Sequence, residues 1–115
     1  AVDIFNPDIS GVGGIIDIIK IIKLSHEKKV AVSPHCWNSM SIAASAMVHV
    51  CMSFANTEMA EFFPEYIPYS LKFSNQNYEI KDGFVKIEDN EGLGINIDTK
   101  LLMEDTSSYR ETELT

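Results

Sequence analysis

Residues 6–35, NPDISGVGGIIDIIKIIKLSHEKKVAVSPH, carry the reading on which the fold depends. An apolar strand expected near residues 1–5 enters this stretch, a glycine turn at Gly11, Gly13 and Gly14 reverses it, and an isoleucine-rich helix is expected over 14–29. A second apolar strand, near 30–33, closes the unit. Each strand is left through a proline and then an ionisable residue, Pro7-Asp8 and Pro34-His35. Asp8 and His35 are 27 positions apart, and Glu61 follows 26 positions after His35, just past a third strand expected near 57–60. Groups that recur with the period of a βα unit lie on one rim. In βα-barrels the C-terminal rim of the strands carries the chemistry, so an aspartate, a histidine and a glutamate there form a proton-transfer set.

Working outward, the helix over 14–29 has polar residues at Asp17, Lys20, Lys23 and Glu27, a narrow stripe of helical period. Ile15, Ile16, Ile18, Ile19, Ile21, Ile22 and Leu24 cover the rest and are expected in the core. His26, near the helix end, reads as a dipole partner or a solvated side chain. The sequence GVGG fits neither GxGxxG nor a Walker loop, because no lysine-serine or lysine-threonine pair follows, so it reads as a tight turn and not a phosphate cradle.

Between Cys36 and Thr57 there is no Asp, Glu, Lys or Arg. A membrane span needs about 20 predominantly apolar residues, and this stretch is interrupted by Asn38, Ser39, Ser41, Ser45, His49 and Ser53. A buried helix over 39–54, capped by Asn38 or Ser39, is the better account, with His49 packed and hydrogen-bonded. Residues 62–69, FFPEYIPY, read as an aromatic, proline-broken loop. Residues 78–87 read as a β-hairpin turning at Asp82-Gly83, and residues 95–97 as a short strand. Asp98 is placed to cap a brief helix over 100–103, and a polar tail over 106–115 should fray.

The formal net charge is -8 from 17 acidic and 9 basic residues, which opposes phosphate-backbone binding and argues against nucleic acid as a partner. No membrane segment and no secretory signal is read, so a cytoplasmic protein is expected. Cys36 and Cys51 have no metal-type spacing and read as reduced thiols. About three βα units are present, whereas a closed (β/α)8 barrel typically runs to about 250 residues. The chain therefore reads as the C-terminal part of a larger α/β enzyme, with residues 1–61 forming the last three βα units and 62–115 an aromatic loop, hairpin and C-terminal extension.

Five segments, taken in order, carry a resemblance: NPDISGVGGI (6–15), VSPH (32–35), IAAS (42–45), NTEMAE (56–61) and DGFVKIEDNEGLGINID (82–98). Together they resemble the C-terminal portion of the mandelate racemase subgroup of the enolase superfamily. That resemblance implies a TIM-type (β/α)7β barrel closed by an N-terminal capping domain, the cap and the first strands being absent from this chain. It implies that Asp8 and His35 form an Asp-His dyad and that Glu61 is the acid on the eighth strand. An aspartate at position 8, where the muconate lactonising branch has lysine, favours a histidine base.

The implied chemistry is removal of a proton next to a carboxylate by His35, with Asp8 orienting the imidazole, in a Mg²⁺-dependent enzyme acting on a hydroxy-carboxylate. Dehydration of an acid sugar is the leading expectation. A racemase or epimerase, or a noncatalytic chain, is the alternative. The Mg²⁺ ligands are expected to precede Ala1, so no metal ligand is assigned here, and a homo-oligomer is expected. Trp37 and Asn38, directly after the base, are candidate substrate-binding residues. Taken singly, Asp8 is also an ordinary turn residue, His35 a loop histidine and Glu61 a solvated charge; their common period sets them apart.

Overall fold

The computed structural model describes residues 2–36, 41–75 and 78–105. Strand β1 (Ile4–Phe5), helix α1 (Ile15–Glu27), strand β2 (Ala31–Val32) and helix α2 (Ser41–Ser53) form the first half. A 3₁₀ turn (Pro64–Tyr66), helix α3 (Ile67–Ser70), the strands β3 (Tyr78–Lys81) and β4 (Phe84–Ile87), and helix α4 (Thr99–Asp105) form the second.

β1 and β2 pair in parallel, Ile4 with Ala31 and Phe5 with Val32. Around these two pairs the amides of β2 and its extension alternate between neighbours. Ala31, Ser33 and His35 donate to Asp3 O, Phe5 O and Pro7 O, at 3.2, 2.9 and 2.9 Å. Val32 turns the other way, donating to Asn56 O at 2.8 Å while its own carbonyl accepts from Glu58 N at 3.2 Å. Segment 31–35 is thus the centre of three parallel segments whose order in space is their order in sequence.

The strands are shorter than the expected 1–5 and 30–33, and the third is not a strand at all. Over 57–60 the structure has only a bridge at Thr57 to Val32. The cause is local: continuing the ladder needs a donor at residue 34, and Pro34 has none. The next bond back comes from Glu61 N to Pro34 O at 3.3 Å, one residue later than regular register requires. A ladder that gains a residue in this way bulges and ends.

α1 starts at a turn folded on Asp8, whose carbonyl accepts from the amides of Gly11 and Val12, both at 3.0 Å. Gly13 has φ 105°, a backbone conformation that strains any residue with a Cβ, and a side chain there would also crowd the Asp17 carboxylate. Of the seven branched apolar residues expected in the core, Ile18 and Ile22 are fully buried, whereas Ile15, Ile16 and Leu24 are exposed. α2 is buried far more evenly, with Ala44, Ser45, Ala46, Met47, Val48 and Val50 all inside. Its expected N-caps, Asn38 and Ser39, lie outside the described residues; the Ser41 amide donates to Ser70 Oγ of α3 at 2.8 Å.

The segment read as an aromatic loop, 62–69, instead coils into the 3₁₀ turn and the start of α3, with prolines in the first turn of each, where no amide is needed. β3 and β4 form an antiparallel hairpin across Asp82 and Gly83, both at positive φ. Segment 95–97 is reduced to one antiparallel bridge, Ile97 with Ser74. Asp98 Oδ1 accepts from the Leu101 amide at 2.9 Å at the head of α4. The expected frayed tail, 106–115, lies outside the described residues. Among the described residues no helix is long and apolar enough to cross a membrane.

Candidate functional site

The two prolines explain how the site is built. Each ends regular pairing at the top of its strand, and the residue that follows, Asp8 or His35, stands at the rim, where the two form an isolated parallel bridge. Glu61 reaches the same rim through the bulged third segment. The three residues singled out by their period are therefore brought together.

His35 Nδ1 lies 2.8 Å from Asp8 Oδ2, and His35 Nε2 lies 3.8 Å from Glu61 Oε2. An ionised carboxylate only accepts, so Nδ1 carries the proton in the neutral ring and Nε2 presents a lone pair. At 3.8 Å the Glu61 oxygen is too far for a hydrogen bond to that nitrogen. Side-chain exposures of 25% for Asp8, 23% for His35 and 40% for Glu61 describe a shielded but reachable site.

Asp8 is held from two sides. Its Oδ1 accepts from the amides of Ser10 at 2.8 Å and Gly11 at 3.1 Å, so the turn that starts α1 fixes the carboxylate that orients the ring. Phe63 packs edge-on against the imidazole with ring centres 6.1 Å apart. Asn6, at the same strand end, donates from Nδ2 to Ser33 O at 2.5 Å and to Glu61 Oε2 at 3.3 Å. Sequence reasoning missed both; the signal for Asn6 was an amide side chain directly before a strand-ending proline.

Cys36 follows the histidine but turns inward, 4% exposed and part of the core. Behind it, Cys36, Ser41, Phe62, Phe63, Ser70 and Tyr78 are among the residues lining a cavity of about 20 Å³, room for one water molecule. Burial, reinforced by the Cys36 thiol, raises the Tyr78 hydroxyl above its ordinary range and keeps it neutral. Trp37 and Asn38 lie outside the described residues, so their part in a pocket stays an expectation. Among the described residues no group of three or more His, Cys, Asp or Glu side chains could hold a metal ion. That suits the donor set: both oxygens of Asp8 are already engaged, by the ring and by two amides. The residues described here do not by themselves fit a Mg²⁺ centre.

Residues 1–101 match the family model described as Enolase C-terminal domain-like. The chain is 32% identical over 111 residues to D-galactarolactone cycloisomerase of Agrobacterium fabrum, covering 90% of this chain and 29% of that protein. It is 29% identical over 109 residues to D-galactonate dehydratase of Verminephrobacter eiseniae, covering 88% of this chain and 28% of that protein. Among solved structures, it superposes with a TM-score of 0.85 and 53% identity on an enolase from the environmental genome shotgun sequencing of the Sargasso Sea, over 90% of this chain and 28% of that one. An enolase from Pantoea ananatis, solved with bound D-gluconate and Mg, superposes at 0.81 with 26% identity, over 90% of this chain and 25% of that one. The chain thus spans less than a third of the length of the relatives it matches.

Proposed function

The chain belongs to the enolase C-terminal domain-like family, and from that premise we propose that it supplies the proton-transfer side of an active site that takes the proton next to the carboxylate of an acid sugar. The single observation that carries this reading is the line Asp8–His35–Glu61, with Nδ1 2.8 Å from Asp8 Oδ2 and Nε2 3.8 Å from Glu61 Oε2. Within a complete protein, the three parallel segments would be the last strands of a (β/α)7β barrel, and their upper ends would face the substrate.

Each group then has one task. Nε2 of His35 takes the α-proton, and the electrons of the C–H bond pass into an enediolate. Asp8, already accepting from Nδ1, stabilises the imidazolium that results. Glu61, on the far side of Nε2, donates a hydrogen bond to the substrate oxygen that gains charge, provided the bound complex holds it protonated. Loss of the neighbouring hydroxyl would complete a dehydration, the departing oxygen taking a proton from one of the same groups. The names of the two curated relatives divide between dehydratase and cycloisomerase, and a cycloisomerase, racemase or epimerase is the second reading. All begin with the same proton. Mg²⁺, when bound by residues outside this chain, would supply positive charge at the substrate carboxylate.

The test uses the complete protein. His35→Asn should abolish turnover, with substrate binding largely kept. Asp8→Asn, which keeps the shape and loses the charge, should lower turnover at least tenfold and move the acidic limb of the pH–rate profile, on which the base loses its proton, to lower pH. Glu61→Gln should be the mildest of the three, since an amide still donates. An Asp8→Asn enzyme with wild-type rate and pH profile would contradict the reading.

A further inference from the structure

A parallel ladder makes a definite demand at the end of β1. In the register set by Phe5 and Val32, the amide of residue 7 would donate to Ser33 O. Residue 7 is proline and has no N–H. The carbonyl is nevertheless partnered, because Asn6 Nδ2 donates to it at 2.5 Å and donates to Glu61 Oε2 at 3.3 Å. A backbone carbonyl and an ionised carboxylate are both acceptors, so the NH₂ end of the amide must face them, with one proton for each.

We infer that Asn6 is a positioning residue for Glu61: anchored on the carbonyl that Pro7 cannot partner, its amide holds Oε2 as an acceptor and leaves Oε1 to donate the hydrogen bond to substrate. This rests on the proton-transfer reading of the rim. A donor aimed at one carboxyl oxygen disfavours a proton on that oxygen, so protonated Glu61 carries its proton on Oε1. Asp8 is fixed by a separate device, the amides of Ser10 and Gly11. The carboxylates on the two sides of the imidazole are therefore set independently, one by the turn into α1 and the other by Asn6. With an ordinary residue at position 7, Ser33 O would take a backbone amide and the Asn6 side chain would lose its anchor.

The experiment is a double-mutant cycle in the complete protein: Asn6→Ala, Glu61→Gln and the pair, with kcat, KM and pH profile measured for each. If Asn6 acts through Glu61, Asn6→Ala lowers kcat about tenfold with little change in KM. It also raises the pH of the limb that Glu61→Gln removes, and adds nothing further in the Glu61→Gln background. Additive losses, or a pH limb that does not move, would overturn the assignment. Should Asn6→Ala fail to fold, Asn6→Ser serves in the same cycle, since a hydroxyl donates to only one of the two acceptors. Failure of the underlying reading looks different. If His35→Asn still exchanges the α-proton, the proton-transfer role fails; if His35 is required and the cycle is additive, only the Asn6 assignment fails.

Discussion

α1 and α2 are both 13 residues long and both rich in apolar side chains, yet they are buried very differently. α1 fully buries Ile18 and Ile22 and leaves Ile16 71% exposed, whereas α2 buries Ala44 through Val48 without a break. The difference is the number of layers pressing on each. α1 touches β2 and α2. α2 touches α1 on one side and, on another, β4, while Ser45 Oγ donates to Leu93 O at 2.7 Å and ties down the segment after the hairpin. Apolar content qualifies a helix for burial, and neighbours decide how much of it is used.

The widest gap between the helices should appear in large-to-small substitutions. Met47→Ala, at a fully buried position of α2, should cost about 2–5 kcal/mol by urea unfolding. Ile16→Ala, on the open face of α1, should stay within about 0.5 kcal/mol when this chain is unfolded at low concentration. A loss at Ile16 as large as that at Met47 would mean that a second copy covers the face, and the contrast would break. A smaller effect is expected at the tie between α2 and the C-terminal segment. Ser45→Ala leaves the Leu93 carbonyl without its hydroxyl partner and should cost about 1–3 kcal/mol, with faster amide exchange confined to residues near Leu93.

The smallest effect is a matter of pH. Burial, reinforced by Cys36, pushes the Cys51 thiol at the end of α2 up to about 11. An unfolded thiol titrates near ~8.5, so from there to about pH 11 the folded chain keeps a proton that the unfolded chain has lost. This contribution is complete below the unfolded value and is lost as pH rises through the folded one. Cys51→Ala should flatten part of the alkaline decline in urea midpoint. An unchanged decline would assign it elsewhere, to Tyr78 first.

The rim was legible in the sequence because it rests on spacing and on chemistry that proline cannot avoid. Pro7 and Pro34 stop their strands, so Asp8 and His35 are the residues left at the ends, and Glu61 follows at the same period. The expected strand at 57–60 was not legible in its true form, since its bulge arises from a donor missing on a different segment, at Pro34. Asn6 escaped notice for a related reason: its partners, Ser33 O and Glu61, are 27 and 55 positions away, and its task exists only because Pro7 lacks an amide. The burial of α1 was overestimated because a pattern of isoleucines records which face is apolar and not what lies against it. The 3₁₀ turn and α3 were read as loop because their prolines looked like breaks, when in a first helical turn they are tolerated.

The central claim is that His35 is the base, and the measurement closest to it is the exchange of the substrate's α-proton with solvent deuterium in the complete protein, followed by NMR. With His35→Asn the account predicts that exchange and turnover disappear together while substrate still binds. Exchange at the wild-type rate in that variant would show that another group takes the proton, and the role assigned to His35 would be wrong.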